Sequence, residues 1–142
     1  MTIAAILGNK GRDVVYVGPT QTVAEAIALL AEHRIGAVPV IDGGKVVGVF
    51  SERDVIHGLR GGDTDALNRP VSETMTAPAL TVTPAEPVLA ALSLMTRRRI
   101  RHLPVLEDGR IIGIVSIGDL VKYRIEKIEA DAAAMREYIQ QA

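Results

Sequence analysis

Two spacings of hydrophobic residues alternate along this 142-residue chain. Apolar positions three and four apart mark helices, and short β-branched runs mark strands. Val23, Ala26, Ile27 and Leu30 make one helical face, opened by Thr22-Val-Ala-Glu25, which has the spacing of a capping box. Val38 to Ile41 and Val46 to Phe50 are apolar runs joined by Asp42-Gly43-Gly44, a hairpin signal. A helix is expected from about Ser51 to Leu59, stopped by Gly61-Gly62, and residues 61–70 read as a polar linker. Upstream, residues 2–8 predict a short helix closed by Gly8, and Asp13 to Val17 a short strand ended by Gly18-Pro19.

The same pattern returns 65 positions later, the separation of Pro39 and Pro104. Val88, Ala91, Leu92 and Met95 repeat the helix face. Leu103 to Leu106 and Ile111 to Val115 repeat the hairpin around Asp108-Gly109, and Ser116 and Asp119 repeat Ser51 and Asp54. No gap is needed from Pro19/Pro84 to Ile56/Val121, and about a dozen paired positions are identical. That is an internal duplication. The fold class is α+β: two β-α-β-β-α units, one over residues 1–66 with the N-terminal segment and one over residues 67–142. Units of this size bury too little surface to stand alone. They are therefore expected to pack sheet against sheet about a pseudo-twofold axis, leaving two clefts between them.

A last helix is expected from about Ile117 to Gln140. Val121, Ile125, Ile128, Ala132, Met135 and Ile139 step by four and three, the narrow stripe of a coiled coil. The stripe either packs back on its own unit or forms a seam with a second chain.

Composition narrows the function. Hydrophobic residues make up 48% of the chain and aromatics only 3%, so Val, Ile, Leu and Ala must build the core. A net charge of −1 argues against a generally basic nucleic-acid binder. The absence of cysteine excludes disulfides and thiolate metal sites. No apolar run approaches the roughly 20 residues that span a bilayer. Met1 to Lys10 lacks the charged-then-apolar order of a signal peptide, and a soluble cytoplasmic protein is expected.

Two clusters carry candidate chemistry. Ser51/Asp54 and Ser116/Asp119 each lie where a strand becomes a helix. Read structurally, Ser caps the helix and the acid sits in its first turn. Read functionally, a carboxylate at a cleft edge accepts two hydrogen bonds from a ribose diol, and the helix start suits a phosphate. Arg97, Arg98, Arg99, Arg101 and His102 form the one basic run. Arg97 and Arg98 read as a solvated helix end, whereas Arg101 and His102 enter the next strand and suit phosphate binding. Their counterparts in the first unit are Gly36 and Ala37. Enzymatic patterns fail: phosphate-binding glycine loops are absent, the three histidines lack metal-ligand spacing, and neither Ser–Asp pair has a neighbouring histidine base.

Ile35-Gly-Ala-Val-Pro-Val, Val47-Gly-Val-Phe-Ser-Glu-Arg-Asp54, Ile100-Arg-His-Leu-Pro-Val and Ile112-Gly-Ile-Val-Ser-Ile-Gly-Asp119 carry a family resemblance. The chain resembles a tandem pair of CBS domains, a Bateman module. It is similar to short stand-alone bacterial CBS-pair proteins and to the regulatory part of IMP dehydrogenase. The resemblance covers roughly residues 10–125 and leaves no room for a catalytic domain. It implies a non-enzymatic sensor that binds AMP, ADP, ATP, NAD or S-adenosylmethionine in clefts between the repeats. Asp54 and Asp119 would take ribose hydroxyls, with Ser51 and Ser116 nearby. Arg101 and His102 match the basic pair that contacts phosphates in the γ subunit of AMP-activated protein kinase, with Arg99 and Arg53 as further phosphate ligands. Adenine would lie around Val15 and Val17 at the cleft of Asp119, with Gly36 and Ala37 as further adenine contacts. Because Gly36-Ala37 removes the basic pair from one repeat, its phosphate charge would come from Arg53, from Arg12 or from across the axis, and the two clefts should be unequal. The family also implies a homodimer, a disc of four repeats. Two other functions stay open: a nucleic-acid contact through Arg97 to Arg101, and an enzyme acting on nucleotides.

Overall fold

The computed structural model describes residues 1–10, 13–62 and 64–141. Each repeat is built around a hairpin. In the first, β1 (Ala37–Asp42) pairs antiparallel with β2 (Lys45–Ser51). In the second, β3 (His102–Glu107) pairs with β4 (Arg110–Ser116) in the same register and with a bulge at the same place. Both two-residue turns need positive φ, met at 57° and 79° by Gly43 and Gly44 and at 53° and 77° by Asp108 and Gly109.

Helices flank each hairpin: α1 (Ile3–Lys10), α2 (Val23–His33) and α3 (Glu52–Gly58), then α4 (Val88–Arg98) and α5 (Ile117–Gln141). The expected apolar faces are the buried ones, Val23, Ala26 and Leu30 on α2 and Val88, Ala91 and Met95 on α4. Thr22 caps α2 by accepting from the Glu25 N–H at 3.1 Å, while the Glu25 carboxylate accepts from the Gln21 side chain. Both α2 and α4 end on a left-handed arginine, Arg34 and Arg99, at φ 53° and 54°. In each case the next residue's N–H returns to the helix, Ile35 to Leu30 and Ile100 to Met95.

Two expectations need correction. The strand over Asp13 to Val17 is a single bridge: the Val17 N–H donates to the Pro39 carbonyl, and its own carbonyl accepts from Ile41. Tyr16 beside it points to solvent, so only one residue of the run has a ladder to join. Val82 repeats the bridge against β3. Gly8 does not close α1, which runs on to Lys10.

Each core is completed by a segment that precedes the other repeat in sequence. Ile3, Ile6 and Leu7 of α1 are buried with Val88, Met95, Leu103 and Leu120 of the second repeat. Val71, from the link between repeats, is buried with Val17, Leu30, Val38 and Phe50 of the first, and Met75 packs against that cluster. Two glycines admit these segments. A Cβ on Gly48 would lie 2.6 Å from Met75 Sδ and 2.8 Å from the Thr76 carbonyl oxygen. A Cβ on Gly113 would lie 2.6 Å from a Leu7 methyl. With Gly48 in place, Thr76 bridges β2, exchanging two backbone hydrogen bonds with Val49 at 3.0 and 2.9 Å. No helix among the described residues is long and apolar enough to cross a membrane.

Candidate functional site

Asp54 lies in the first turn of α3, where the extended backbone of Ser51 (φ −133°, ψ 167°) hands over from β2. The structural role expected of the pair is present. The Ser51 N–H donates to Asp54 Oδ2 at 2.8 Å, and the Ser51 hydroxyl donates to the same oxygen at 3.1 Å. The other oxygen accepts from the Thr76 hydroxyl at 3.0 Å. Asp54 is the one buried charged side chain among the described residues, at 9% exposure. Two of its three partners are rotatable hydroxyls, which can turn away when a ligand supplies better donors.

Asp54 opens onto a cavity of about 380 Å³ between the repeats. That is within the range of roughly 300–1,000 Å³ usual for small-molecule sites. The first repeat contributes Gly36, Val49, Ser51, Glu52, Arg53, Asp54 and Ile56; the second contributes Ile100, Arg101 and His102. Thr76, Pro78, Ala79 and Leu80 of the connecting segment form the remaining wall. An anionic floor, a basic side and an apolar wall therefore meet in one cleft.

The basic side is assembled across the pseudo-twofold axis. His102 leads β3 of the second repeat, yet its imidazole lies over Gly36 of the first. A Cβ at Gly36 would come within 3.3 Å of its Cε1. The glycine that removes a basic residue from the first repeat thus makes room for the basic residue of the second. Arg53 also reaches across, donating from Nη1 to the Arg99 carbonyl at 2.6 Å.

The structure brings together Ser51, Asp54, Arg53, Gly36, Arg101 and His102, and leaves other expected residues outside this cavity. Arg99 contributes its carbonyl to Arg53, while its side chain is exposed. Ala37 is buried in β1, paired with Ser51. Val17 is fully buried in the first core, and Val15 packs against that core. An adenine ring therefore cannot lie on Val17 in this arrangement. Ser116 and Asp119 make the capping geometry: the Ser116 N–H donates to Asp119 Oδ2 at 2.8 Å, and the Asp119 N–H to Ser116 Oγ at 3.1 Å. Arg12 lies outside the described residues.

Thr76 and the wall at 78–80 were not anticipated. Leu80 had a signal, because it stands 65 positions after Val15. Thr76 had none: it stands in the polar Ser-Glu-Thr-Met-Thr run of the link, outside every apolar pattern. Among the described residues no group of His, Asp or Glu is arranged to hold a metal ion.

Comparison with known proteins agrees with this architecture. The family model described as CBS domain matches the chain twice, at residues 10–61 and 71–126. YhcV of Bacillus subtilis, a CBS domain-containing protein, is 32% identical over 131 residues, which is 92% of this chain and 93% of that protein. The crystal structure of the CBS-domain containing protein ATU1752 from Agrobacterium tumefaciens is similar with a TM-score of 0.84 and 42% identity, covering 87% of this chain and 99% of that one. The CBS domain pair of protein MJ0100, solved in complex with 5′-methylthioadenosine and S-adenosyl-L-methionine, has a TM-score of 0.78 at 26% identity, over 89% and 98% of the two chains.

Proposed function

The chain belongs to the CBS domain family, with two such domains in tandem, and on that premise we propose that it is a regulatory module that binds an adenosine-containing ligand between its repeats. The observation that carries this is the joint lining of one cavity by Asp54, Arg101, His102 and the apolar segment Pro78–Leu80. A nucleotide has the same three parts in order. Its base fits the apolar wall beside Ile56 and Ile100, its ribose diol meets the Asp54 carboxylate, and its phosphate meets Arg53, Arg101 and His102. The adenosine compounds held by the MJ0100 pair support that ligand class. AMP, ADP, ATP, NAD and S-adenosylmethionine all present an adenosine, and the ones with phosphates use the basic side fully. The cleft holds such a molecule without transforming it: Ser51 is hydrogen-bonded to a carboxylate rather than to a histidine base.

Mass spectrometry of small molecules released from the native protein, followed by thermal-shift titration, tests this reading. A bound adenosine compound, or a melting temperature raised by one such compound and not by its guanosine analogue, is the expected result. Equal responses to adenosine and guanosine compounds, or none to either, would overturn it.

A further inference from the structure

The seam of α5 has no partner in its own repeat beyond the first two turns. Leu120 is fully buried and Ile117 and Tyr123 pack on the second core. From Ile125 to Gln141 every residue is exposed, a rod of about 25 Å at the helical rise. Ile125, Ile128, Met135 and Ile139 are 50%, 52%, 59% and 64% exposed, and a helix that offers such residues to water on one narrow line gains nothing from them alone. Val121, Ile125, Ile128, Ala132, Met135 and Ile139 occupy successive d and a positions of a heptad with no interruption.

The flanking charges decide what covers that line. With Ile125 at a, the e positions are Lys122, Glu129 and Arg136, and the g positions are Arg124, Asp131 and Tyr138. In a parallel pair each g residue meets the partner's e residue five positions on. Arg124 then faces Glu129 of a second copy, and Asp131 faces its Arg136: both contacts are attractive, and each occurs twice. In an antiparallel pair with the same core, Lys122 would face Arg136, Glu129 would face Glu129, and Asp131 would face Asp131. Each of those contacts is repulsive. Within one chain Asp131 instead pairs with Lys127 at 3.5 Å, an exposed contact that it gives up at little cost.

We infer that the occupant is a second copy of this chain, joined through α5 as a two-stranded parallel coiled coil in register. The inference is independent of what the inter-repeat cleft binds. It also differs from a dimer held by the repeats themselves, because it places the contact beyond them.

Sedimentation of the full chain, of Ile128→Asp and of the charge variants tests it. The full chain should sediment as a dimer, and Ile128→Asp as a monomer with unchanged melting of its repeats. Arg124→Glu and Glu129→Arg should each weaken dimerisation by roughly tenfold, because two attractive contacts become repulsive. Combining them should restore it. With no other cysteine in the chain, Ile139→Cys should cross-link to its own counterpart on mild oxidation. A monomeric full chain, a dimer indifferent to Ile128→Asp, or charge variants whose combination is worse than either alone would overturn the inference.

Discussion

At the scale of single residues, Asp54 and Arg101 have separable tasks. Asp54 both closes the start of α3 and offers its carboxylate to the cavity. Asp54→Asn keeps an acceptor for the Ser51 N–H but loses the charge. A charge-assisted hydrogen bond contributes about 1.5–3 kcal/mol, so the variant should bind an adenosine ligand roughly ten- to a hundredfold more weakly while remaining folded. Arg101→Ala should weaken AMP by a similar factor and leave adenosine, which has no phosphate, unchanged. Calorimetry on the two ligands checks both, and an equal loss for adenosine would remove Arg101 from phosphate recognition. Gly36→Val should push the His102 imidazole off its place and reduce AMP affinity, read in the same titration, because the first added carbon already crowds the ring. The sequence showed Asp54, Arg101 and His102 as unusual residues at strand and helix starts. That Arg101 and His102 face Asp54 across the axis was legible only as one of three sources of charge for that repeat, because the direction of a side chain between repeats depends on packing and leaves no periodicity. The missing side chain at Gly36 was legible only as a loss of charge, while its steric meaning needed the imidazole beside it.

At the scale of elements, the hairpins and helices α2 to α5 were legible because period and turn or stop residues agree there, whereas the end of α1 was not. The run at 13–17 carried an apolar pattern but too few ladder partners to become a strand. Most opaque were the segments that cross over. Nothing in Ile3, Ile6 and Leu7 names the second core, and nothing in Val71 and Met75 names the first, since an apolar residue does not specify which apolar surface it joins. The glycines do retain a trace. Gly48 faces the backbone oxygen of Thr76 as well as Met75, whereas Gly113 faces only the far end of the Leu7 side chain. Overpacking typically costs about 1–3 kcal/mol, and backbone yields less readily than a leucine methyl. Gly48→Ala should therefore destabilise the protein more than Gly113→Ala in denaturant titration. It should also weaken ligand binding, because moving Thr76 disturbs the oxygen of Asp54 that it holds.

For the molecule as a whole, duplication explains why the cleft exists, and divergence explains why it is lopsided. Identical positions in the two repeats, among them Pro39, Val40, Gly44, Gly48, Ser51 and Asp54, preserve the hairpins and their Ser–Asp starts, while Gly36-Ala37 against Arg101-His102 breaks the symmetry where a ligand's charge would lie. Arg53, held by the Arg99 carbonyl, and His102, lying over Gly36, tie the repeats together on the side that contains Asp54. A ligand filling that cleft therefore contacts both repeats and is placed to report on their relation. Calorimetric titration of AMP into the protein, Asp54→Asn, Arg101→Ala and the double variant is the most direct measurement. Because one molecule bridges both repeats, affinity should fall in each single variant and furthest in the double, with the same ligand-to-chain ratio wherever binding remains measurable. AMP bound equally well by Asp54→Asn and by Arg101→Ala would show that it lies elsewhere, and the cleft would lose its claim.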